Sequence, residues 1–229
     1  SEHNFMNVNC GIMDQFIIST GKKNTAIVLD CNTLEYEYVP LELGDYRFVV
    51  MNTNKQRRLA DSKYNERRSQ CEEALKILQD GGVKISALCE LSPEQWENSK
   101  SLIKDELLVR RAKHCVYENQ RVKDAVSALK AGNLEKLGKL LNESHESLKN
   151  DYEVTGIELD TLAETAQKQD GCIGARMTGA GFGGCGIALV HKDKVEQFVE
   201  NVQTEYKKVV GYEASFFDCE SGDGVSHFN

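Results

Sequence analysis

Five glycines fall between Gly179 and Gly186, and an apolar run over residues 187–190 follows at once. Because glycine loses more conformational entropy on folding than any other residue, such a cluster needs a physical reason. Either the backbone turns tightly with positive φ, or its N–H groups approach another body closely, often an anion. A glycine-rich hairpin packed on a neighbouring backbone is the simpler interpretation of this stretch alone.

The residues around the cluster narrow its chemistry. No Gly-Lys-Ser or Gly-Lys-Thr follows it, so it is not a Walker loop. A dinucleotide fingerprint should follow one strand and open a helix, whereas here an apolar run stands directly behind the glycines. The pattern therefore favours a strand, a tight loop and a second strand.

Asp14 lies in the first turn of a helix that apolar spacing predicts over residues 9–20, with Gly21 at its end. The helix dipole stabilises an ionised carboxylate at that place. From this segment alone, an acid that only stabilises the start of a helix is a sufficient explanation of Asp14.

The rest of the chain supplies the elements that position these two stretches. Periodicity predicts strands over residues 25–29, 34–41, 46–54, 172–177, 186–190 and 212–219, and helices over residues 62–79, 92–130, 134–149, 155–169 and 194–210. Ser92 with Gln95, and Thr155 with Glu158, each have the pattern of a capping box at the start of a helix. The polar end of the third strand, residues 52–55, could meet a ligand.

The order of these elements predicts the fold. From residue 46 it is strand, several helices, two strands around the glycine loop, helix and strand. If the helices before Cys172 form one crossover with insertions, this is the split βαβ of a ferredoxin-like domain. We therefore expect an α+β fold, with one boundary that separates residues 1–40 from a larger domain of residues 41–229.

Composition excludes several classes of protein. The formal net charge of −8 and a pI near 5.3 argue against nucleic acid or an anionic membrane as the main partner. No apolar run approaches the ~20 residues that cross a bilayer. The eight cysteines contain no Cys-x-x-Cys pair and no histidine at zinc spacing. We interpret them as free, mostly buried thiols in a reducing cytoplasm.

Two stretches together resemble signatures of the galactokinase family, which belongs to the GHMP superfamily of small-molecule kinases. They are Cys-Gly-Ile-Met-Asp-Gln-Phe over residues 10–16 and Met-Thr-Gly-Ala-Gly-Phe-Gly-Gly-Cys-Gly over residues 177–186. The segments over residues 62–68 and 111–121 are also similar to galactokinase sequence and stand in the expected order. The first signature is the more specific one, because the glycine stretch is shared across the superfamily.

The resemblance implies a kinase that transfers the γ-phosphate of ATP, with Mg²⁺, to the C1 hydroxyl of α-D-galactose in the Leloir pathway. Such kinases carry a galactose-recognition segment and a serine-rich phosphate loop. Neither occurs in this sequence, so we expect both upstream of Ser1. Residues 1–40 would then end the nucleotide- and sugar-binding domain, whose missing part we expect to pack against the 178–186 loop and to bind most of the ATP and Mg²⁺. The isolated chain should accordingly be inactive.

By the same resemblance, Asp14 is similar to the proposed catalytic base, which removes or orients the proton of the sugar hydroxyl. Gly11 is similar to the position whose backbone lies against galactose. Tyr64 is similar to a tyrosine that hydrogen-bonds the sugar, although a tyrosine that only packs at the start of a helix is an open alternative. Five residues of the glycine loop are expected to shape the site without being direct ligands: Gly179, Ala180, Gly181, Gly183 and Gly184.

His114, Glu118 and Asn119 lie at helical spacing, and we interpret them as structural. No metal ligand is assigned, because the magnesium-binding residues of the family fall upstream. Two further functions remain open, namely a related GHMP kinase that acts on N-acetylgalactosamine and a non-catalytic galactose sensor on the same fold. The upstream sequence distinguishes them, because an intact serine-rich loop favours a kinase and a deleted one favours a sensor.

Overall fold

The computed structural model describes residues 11–56 and 60–225. Its strands are β1 (Thr25–Leu29), β2 (Tyr36–Pro40), β3 (Tyr46–Asn52), β4 (Cys172–Thr178), β5 (Cys185–His191) and β6 (Ser215–Cys219). Its helices are α1 (Met13–Thr20), α2 (Ala60–Asp80), α3 (Pro93–Ser99), α4 (Glu106–Lys130), α5 (Leu134–Ser147), α6 (Ile157–Gln167) and α7 (Val195–Val210). All six predicted strands are confirmed, and the main differences lie in the helices.

Four of the strands form an antiparallel sheet in the order β4-β5-β3-β6. The central strand β3 pairs with β5 on one side, where Val49 faces Ala188, and with β6 on the other, where Val49 faces Asp218. In chain order the elements run β3, helices, β4, β5, α7, β6, which is the predicted split βαβ arrangement. The α+β, ferredoxin-like fold with helical insertions is therefore confirmed.

The main apolar core lies between one face of this sheet and the helices α6 and α7. Val49 and Met51, two residues apart on β3, are both fully buried, as the period of two in a strand requires. Leu162 from α6 and Phe198 and Val202 from α7 complete the same cluster. The sheet thus has a firmly packed face that fixes the two strands leading into the glycine loop.

The inserted helices have a core of their own. Trp96 from α3 is 1% exposed and packs in one cluster with Ala74 and Leu78 from α2 and with Leu108 and Ala112 from α4. Burial of large apolar side chains of this kind contributes roughly 1.5–3 kcal/mol each. This second core holds α2 and α4 side by side, so their polar faces have fixed positions.

The predicted single helix over residues 92–130 is wrong, because the chain breaks it in two. Its start is as expected, since Ser92 and Gln95 form a capping box before α3. A 3₁₀ turn over Lys100–Leu102 then follows, and α4 begins anew at Glu106. Asp105 caps the new helix by accepting a hydrogen bond of 2.7 Å from the amide of Leu107.

The second predicted capping box, Thr155 with Glu158, is also wrong. The residue before α6 is Gly156, with φ of 86°, and no side chain caps the helix. Glu158 instead forms an ion pair with Lys55, with Nζ and Oε2 3.0 Å apart. Upstream, α5 ends at Ser147 rather than near residue 149, and Leu148–Tyr152 form a π-helical turn.

The first hairpin and the end of the chain lie together. Strands β1 and β2 pair only with each other, and α1, predicted from residue 9, is helical from Met13 among the described residues. Polarity predicts a loose tail over residues 221–229, but the described part, residues 221–225, is hydrogen-bonded to the chain around α1. The amides of Gly224 and Val225 donate to the carbonyls of Gly21 and Ile18, both at 2.8 Å. The division at residue 40 stays a prediction.

Two glycines bring α5 and β4 together without side chains between them. A Cβ added to Gly138 of α5 would lie 2.2 Å from the carbonyl oxygen of Ile173. A Cβ added to Gly174 of β4 would lie 2.2 Å from the carbonyl oxygen of Gly138. Both distances are far shorter than a van der Waals contact, so only glycine fits at either position.

The cysteines and helices bear on two expectations from composition. The cysteines in the described part of the chain are free thiols, six of them half-buried, but Cys31 in the β1–β2 turn is exposed. The expectation of mostly buried thiols is thus wrong, since none of these described cysteines is fully buried. Within the described residues, none of the helices combines the length and hydrophobicity that a membrane crossing requires.

Candidate functional site

The glycine cluster forms the loop between β4 and β5, as a strand, a tight loop and a strand. Four of its glycines have positive φ: Gly179, Gly181, Gly183 and Gly184. Phe182 also has a positive φ, of 57°, which is an uncommon and strained conformation for a residue with a bulky side chain. The loop therefore turns through conformations that glycine adopts without strain, and its one aromatic residue is held in such a conformation by its surroundings.

The same loop also satisfies the second explanation for its glycines, close approach to other backbone. A Cβ at Gly181 would lie 2.2 Å from the carbonyl oxygen of Val154, and one at Gly183 would lie 3.0 Å from the side chain of Lys55. The amide of Phe182 donates to Val154 O at 2.7 Å, and the amide of Thr53 donates to Gly184 O at 2.8 Å. Two chain segments thus hold the loop from different sides.

One of these segments is the polar end of β3. Lys55 packs against Gly183 and pairs with Glu158 at the start of α6. Thr53 is fully buried, and its carbonyl accepts a hydrogen bond of 2.7 Å from the hydroxyl of Tyr206. This polar end, expected from the sequence as a possible ligand-facing segment, is placed directly against the glycine loop.

The other segment follows the π-helical turn and is held by two buried arginines. Arg67 of α2 donates to the carbonyls of Tyr152 and Glu153, at 2.8 and 3.2 Å. Arg111 of α4 donates to the carbonyl of Asp151 at 2.6 Å and also binds the Glu153 carboxylate. Neither arginine was predicted as part of the site, although both lie within segments that resemble the family.

Tyr64 lies one helical turn before Arg67 on α2 and is half-buried. Because Arg67 contacts the segment that supports the glycine loop, α2 places Tyr64 on the same side of the domain as that loop. Both expectations for Tyr64, a sugar ligand and a packing residue, stay predictions.

Asp14 lies elsewhere, on helix α1, which has no buried residue, and Gly11 lies two residues before that helix. Asp14 is in the first turn of α1, as predicted, and is exposed, and Gly11 has open space around the position of a Cβ. Among the residues that the structure describes, no hydrogen bond or ion pair joins Asp14 to another side chain. Nor does a hydrogen bond or ion pair among these described residues connect Asp14 with Tyr64 or with the glycine loop. Cys10, the first residue of the signature around Asp14, lies outside the described residues.

The three residues interpreted as structural are in the packed layer behind the loop. His114 Nδ1 lies 3.0 Å from the hydroxyl of Ser147, and its ring stacks on Tyr152 with centroids 4.5 Å apart. Burial lowers the pKa of His114 to about 4, so its ring is neutral at pH 7. Glu118 pairs with Arg176 of β4 at 3.1 Å, and Asn119 donates to the carbonyl of Cys89.

The described residues offer no evident metal site. Among them, no group of three or more His, Cys, Asp or Glu side chains is arranged so that it could hold a metal ion. At the glycine loop, Lys55 Nζ is paired with Glu158, and the amide of Phe182 is hydrogen-bonded to Val154 O.

Comparison with known proteins identifies this arrangement. Residues 125–208 match the family model described as GHMP kinases C terminal. The chain is 57% identical over 97% of its length to a galactokinase of Clostridium perfringens (strain SM101 / Type A), and 57% identical over 98% of its length to one of Ligilactobacillus salivarius. The chain belongs to the galactokinase family of GHMP kinases. It spans 57% and 58% of the length of these two relatives.

Solved structures place the fold within the same family. The chain superposes on a crystal structure of Lactococcus lactis galactokinase complexed with galactose with a TM-score of 0.94 and 58% identity. The match covers 97% of this chain and 57% of that one. A mevalonate kinase of L. major matches with a TM-score of 0.50 at 18% identity, which shows only that this chain shares its fold with that protein.

Proposed function

We propose that the chain is part of a galactokinase that phosphorylates α-D-galactose at its C1 hydroxyl with ATP and yields galactose 1-phosphate, a step of the Leloir pathway. The observation that carries this proposal is the match over 97% of the chain to a galactokinase whose crystal structure holds galactose. Because the chain spans 57% of that protein, the rest of the kinase must supply the remainder of the site. The reaction is assigned to the cytoplasm, where the free cysteines stay reduced.

In this proposal Asp14 acts on the sugar hydroxyl. Its carboxylate accepts or orients the hydroxyl proton as the oxygen attacks the γ-phosphorus. Its exposure at the start of α1 leaves it accessible to a sugar bound outside the helix. Gly11, which lacks a side chain and has open space around it, lets the backbone lie against the sugar. The hydroxyl of Tyr64 forms a hydrogen bond with the sugar.

The glycine loop shapes the phosphate side of the site in this proposal. Its residues Gly179, Ala180, Gly181, Gly183 and Gly184 give a surface without bulky side chains, onto which the serine-rich phosphate loop of the other domain packs. ATP supplies the phosphoryl group, and Mg²⁺ neutralises charge on its phosphates. Both are held mainly by residues outside this chain.

The first test replaces the proposed base in the full-length kinase that contains this chain. Asp14→Ala is expected to lower kcat by about 10²–10⁴-fold, because the proton of the sugar hydroxyl loses its acceptor. Ser19→Ala, on the exposed surface of the same helix, is the matched control and should leave kcat unchanged. ATP binding should persist in both variants, measured by calorimetry, and a near-normal kcat in Asp14→Ala would rule out Asp14 as the base.

The second test asks whether the chain needs the rest of the kinase. In a coupled assay of ADP release, the 229-residue chain alone should show no turnover that depends on galactose. Activity should appear when the chain is mixed with the part of the Lactococcus lactis galactokinase that it does not match. Galactose-dependent turnover by the isolated chain would show that the phosphate-binding part is not required.

A further inference from the structure

We propose that Arg67 is a positioning residue, which fixes the glycine loop by clamping the segment Tyr152–Val154 behind it. The inference rests on the proposed function for its link to the reaction, whereas the clamp itself is a property of this chain. Arg67 lies on α2, and no hydrogen bond or ion pair joins it to Asp14 in the described residues. The proposed route from Arg67 to phosphoryl transfer is through the loop.

The contacts of Arg67 show a guanidinium that is fully engaged. Its side chain is 9% exposed. Nε donates to Tyr152 O at 2.8 Å and Nη2 donates to Glu153 O at 3.2 Å, so one planar group binds two consecutive carbonyls. Nη1 pairs with the neighbouring Glu66 at 2.8 Å, which balances the buried charge. Removal of this side chain leaves two carbonyls without their donors.

The clamped segment needs such support, because its own backbone is irregular. It follows the π-helical turn Leu148–Tyr152, and Glu153 has a positive φ of 56°. Strained residues of this kind persist only where their surroundings hold them. Arg111 holds the same segment from the side of α4, at the carbonyl of Asp151. Gln70 Oε1 accepts a hydrogen bond of 2.8 Å from Arg111 Nε and one of 3.4 Å from Arg67 Nη1, which links the two clamps.

The segment contacts the glycine loop directly and so fixes where the loop lies. Val154 O accepts the amide of Phe182 at 2.7 Å and lies where a Cβ of Gly181 would be. The Arg67 guanidinium also lies over the ring of Phe182, with its central carbon 6.0 Å from the ring centroid. Arg67 thus contacts both the support of the loop and the loop itself, and Phe182 keeps its positive φ between them.

The neighbouring residue supplies a matched control. Arg68 carries the same side chain one position along α2, but it is 54% exposed and pairs with Glu72 across one helical turn. Arg68→Met therefore removes an arginine from the same helix without touching the loop. Arg67→Lys is the conservative variant, since a lysine keeps the charge and one donor but cannot bind two carbonyls in a plane.

The first measurement is amide hydrogen exchange in the 229-residue chain, which does not depend on kinase activity. Arg67→Met should accelerate exchange of the Phe182 amide about tenfold or more, because its acceptor Val154 O loses its fixed position. Exchange of the Val49 amide, in the centre of the sheet, should stay unchanged in this variant. Arg67→Lys should give an intermediate rate and Arg68→Met the wild-type rate. Wild-type exchange at Phe182 in a folded Arg67→Met chain would overturn the clamp, and if that variant does not fold, wild-type exchange in Arg67→Lys would overturn it.

The second measurement is kinetic, in the full-length kinase. Arg67→Met should lower kcat by about tenfold or more while KM for galactose changes less than about twofold, and Arg67→Lys should recover part of kcat. A wild-type kcat in Arg67→Met, together with faster Phe182 exchange, would overturn the positioning role. If the wild-type kinase shows no galactose-dependent turnover, the proposed function fails, and hydrogen exchange alone then decides whether Arg67 fixes the loop.

Discussion

The glycine loop and helix α1 carry the two halves of the candidate site, and the domain holds them in opposite ways. Thr53, Lys55 and Val154 contact the loop from two sides. Its glycines from Gly181 onward are buried, whereas the strained Phe182 between them is half-buried. Helix α1 has no buried residue. Its Met13 and Ile18 side chains are 58% and 57% exposed, and Asp14 lies between them on the helix.

The difference shows how much of the site this chain determines by itself. The loop has its position set by hydrogen bonds and close backbone contacts within the described residues. Helix α1 is attached through the hairpin, where the hydroxyl of Tyr38 donates to Thr20 O, and through the amide of Val225. Exposed apolar side chains in a group commonly mark a contact surface. The proposed function gives that surface a partner, namely the rest of the kinase.

The largest expected effect compares two glycines of the loop with nearly the same backbone. Gly181 and Gly179 have φ of 80° and 78°, but a Cβ at Gly181 would lie 2.2 Å from Val154 O, while one at Gly179 would meet nothing within 4 Å. Gly181→Ala should lower the free energy of unfolding by roughly 3–5 kcal/mol, because the loop must move off its support. Gly179→Ala should lower it by about 1–2 kcal/mol, the cost of the left-handed conformation alone.

Urea unfolding of the two variants measures this difference. If Gly179→Ala destabilised the chain as much as Gly181→Ala, backbone conformation rather than close packing would explain both glycines. The contrast between a firmly held loop and a loosely held helix would then lose its main support.

A smaller effect is expected from pH, through His114 in the layer behind the loop. Burial lowers its pKa from 6.5 to about 4, with opposing contributions from Glu118 and Asp151 and supporting ones from Arg121 and Arg176. Between these two values the unfolded chain takes up a proton that the folded chain does not. The free energy of unfolding should therefore fall as pH is lowered from about 6.5 to about 4, by roughly 3 kcal/mol from this residue.

The contribution of His114 is isolated by substitution. In His114→Gln the fall in stability over that pH range should shrink by most of this amount, measured by urea unfolding at several pH values. Equal pH profiles for wild type and His114→Gln would show that His114 is not held neutral in the folded chain.

The smallest effect is expected at Asp14. Because it is exposed and has no partner among the described residues, Asp14→Ala should change the free energy of unfolding by no more than about 0.5 kcal/mol. The same substitution is expected to remove most turnover in the full-length kinase. A loss of stability above about 1 kcal/mol would show that α1 is packed more firmly than its exposure indicates.

The sequence predicted the parts of this molecule that depend on local pattern. Alternation located the strands, and the glycines with the apolar run behind them predicted the loop between β4 and β5. The order of elements was enough to infer the ferredoxin-like sheet. The family resemblance assigned roles to Asp14, Gly11 and Tyr64, and these roles stay predictions.

Contacts between distant residues were not predictable in the same way. Arg67 and Arg111 are charged residues on helices, and in a sequence such residues are typical of exposed faces. The backbone carbonyls that accept their hydrogen bonds lie 85 and 40 positions away along the sequence. The capping box at Thr155 was wrong for a related reason, since Glu158 pairs with Lys55 from another element. The break before Asp105 had a local signal, an N-cap aspartate, which the strong apolar periodicity on both sides concealed.

The contact between Gly138 and Gly174 limits which amino-acid substitutions the domain can accept. Most tight contacts in a core can be relieved by a smaller residue on the other side, so that one substitution compensates for another. Here both partners already have no side chain, and no second substitution can make room for a first. Helix α5 and strand β4 are therefore joined as one rigid unit. A sequence of this fold in which they move apart must find another way to connect the inserted helices with the strand that leads into the glycine loop.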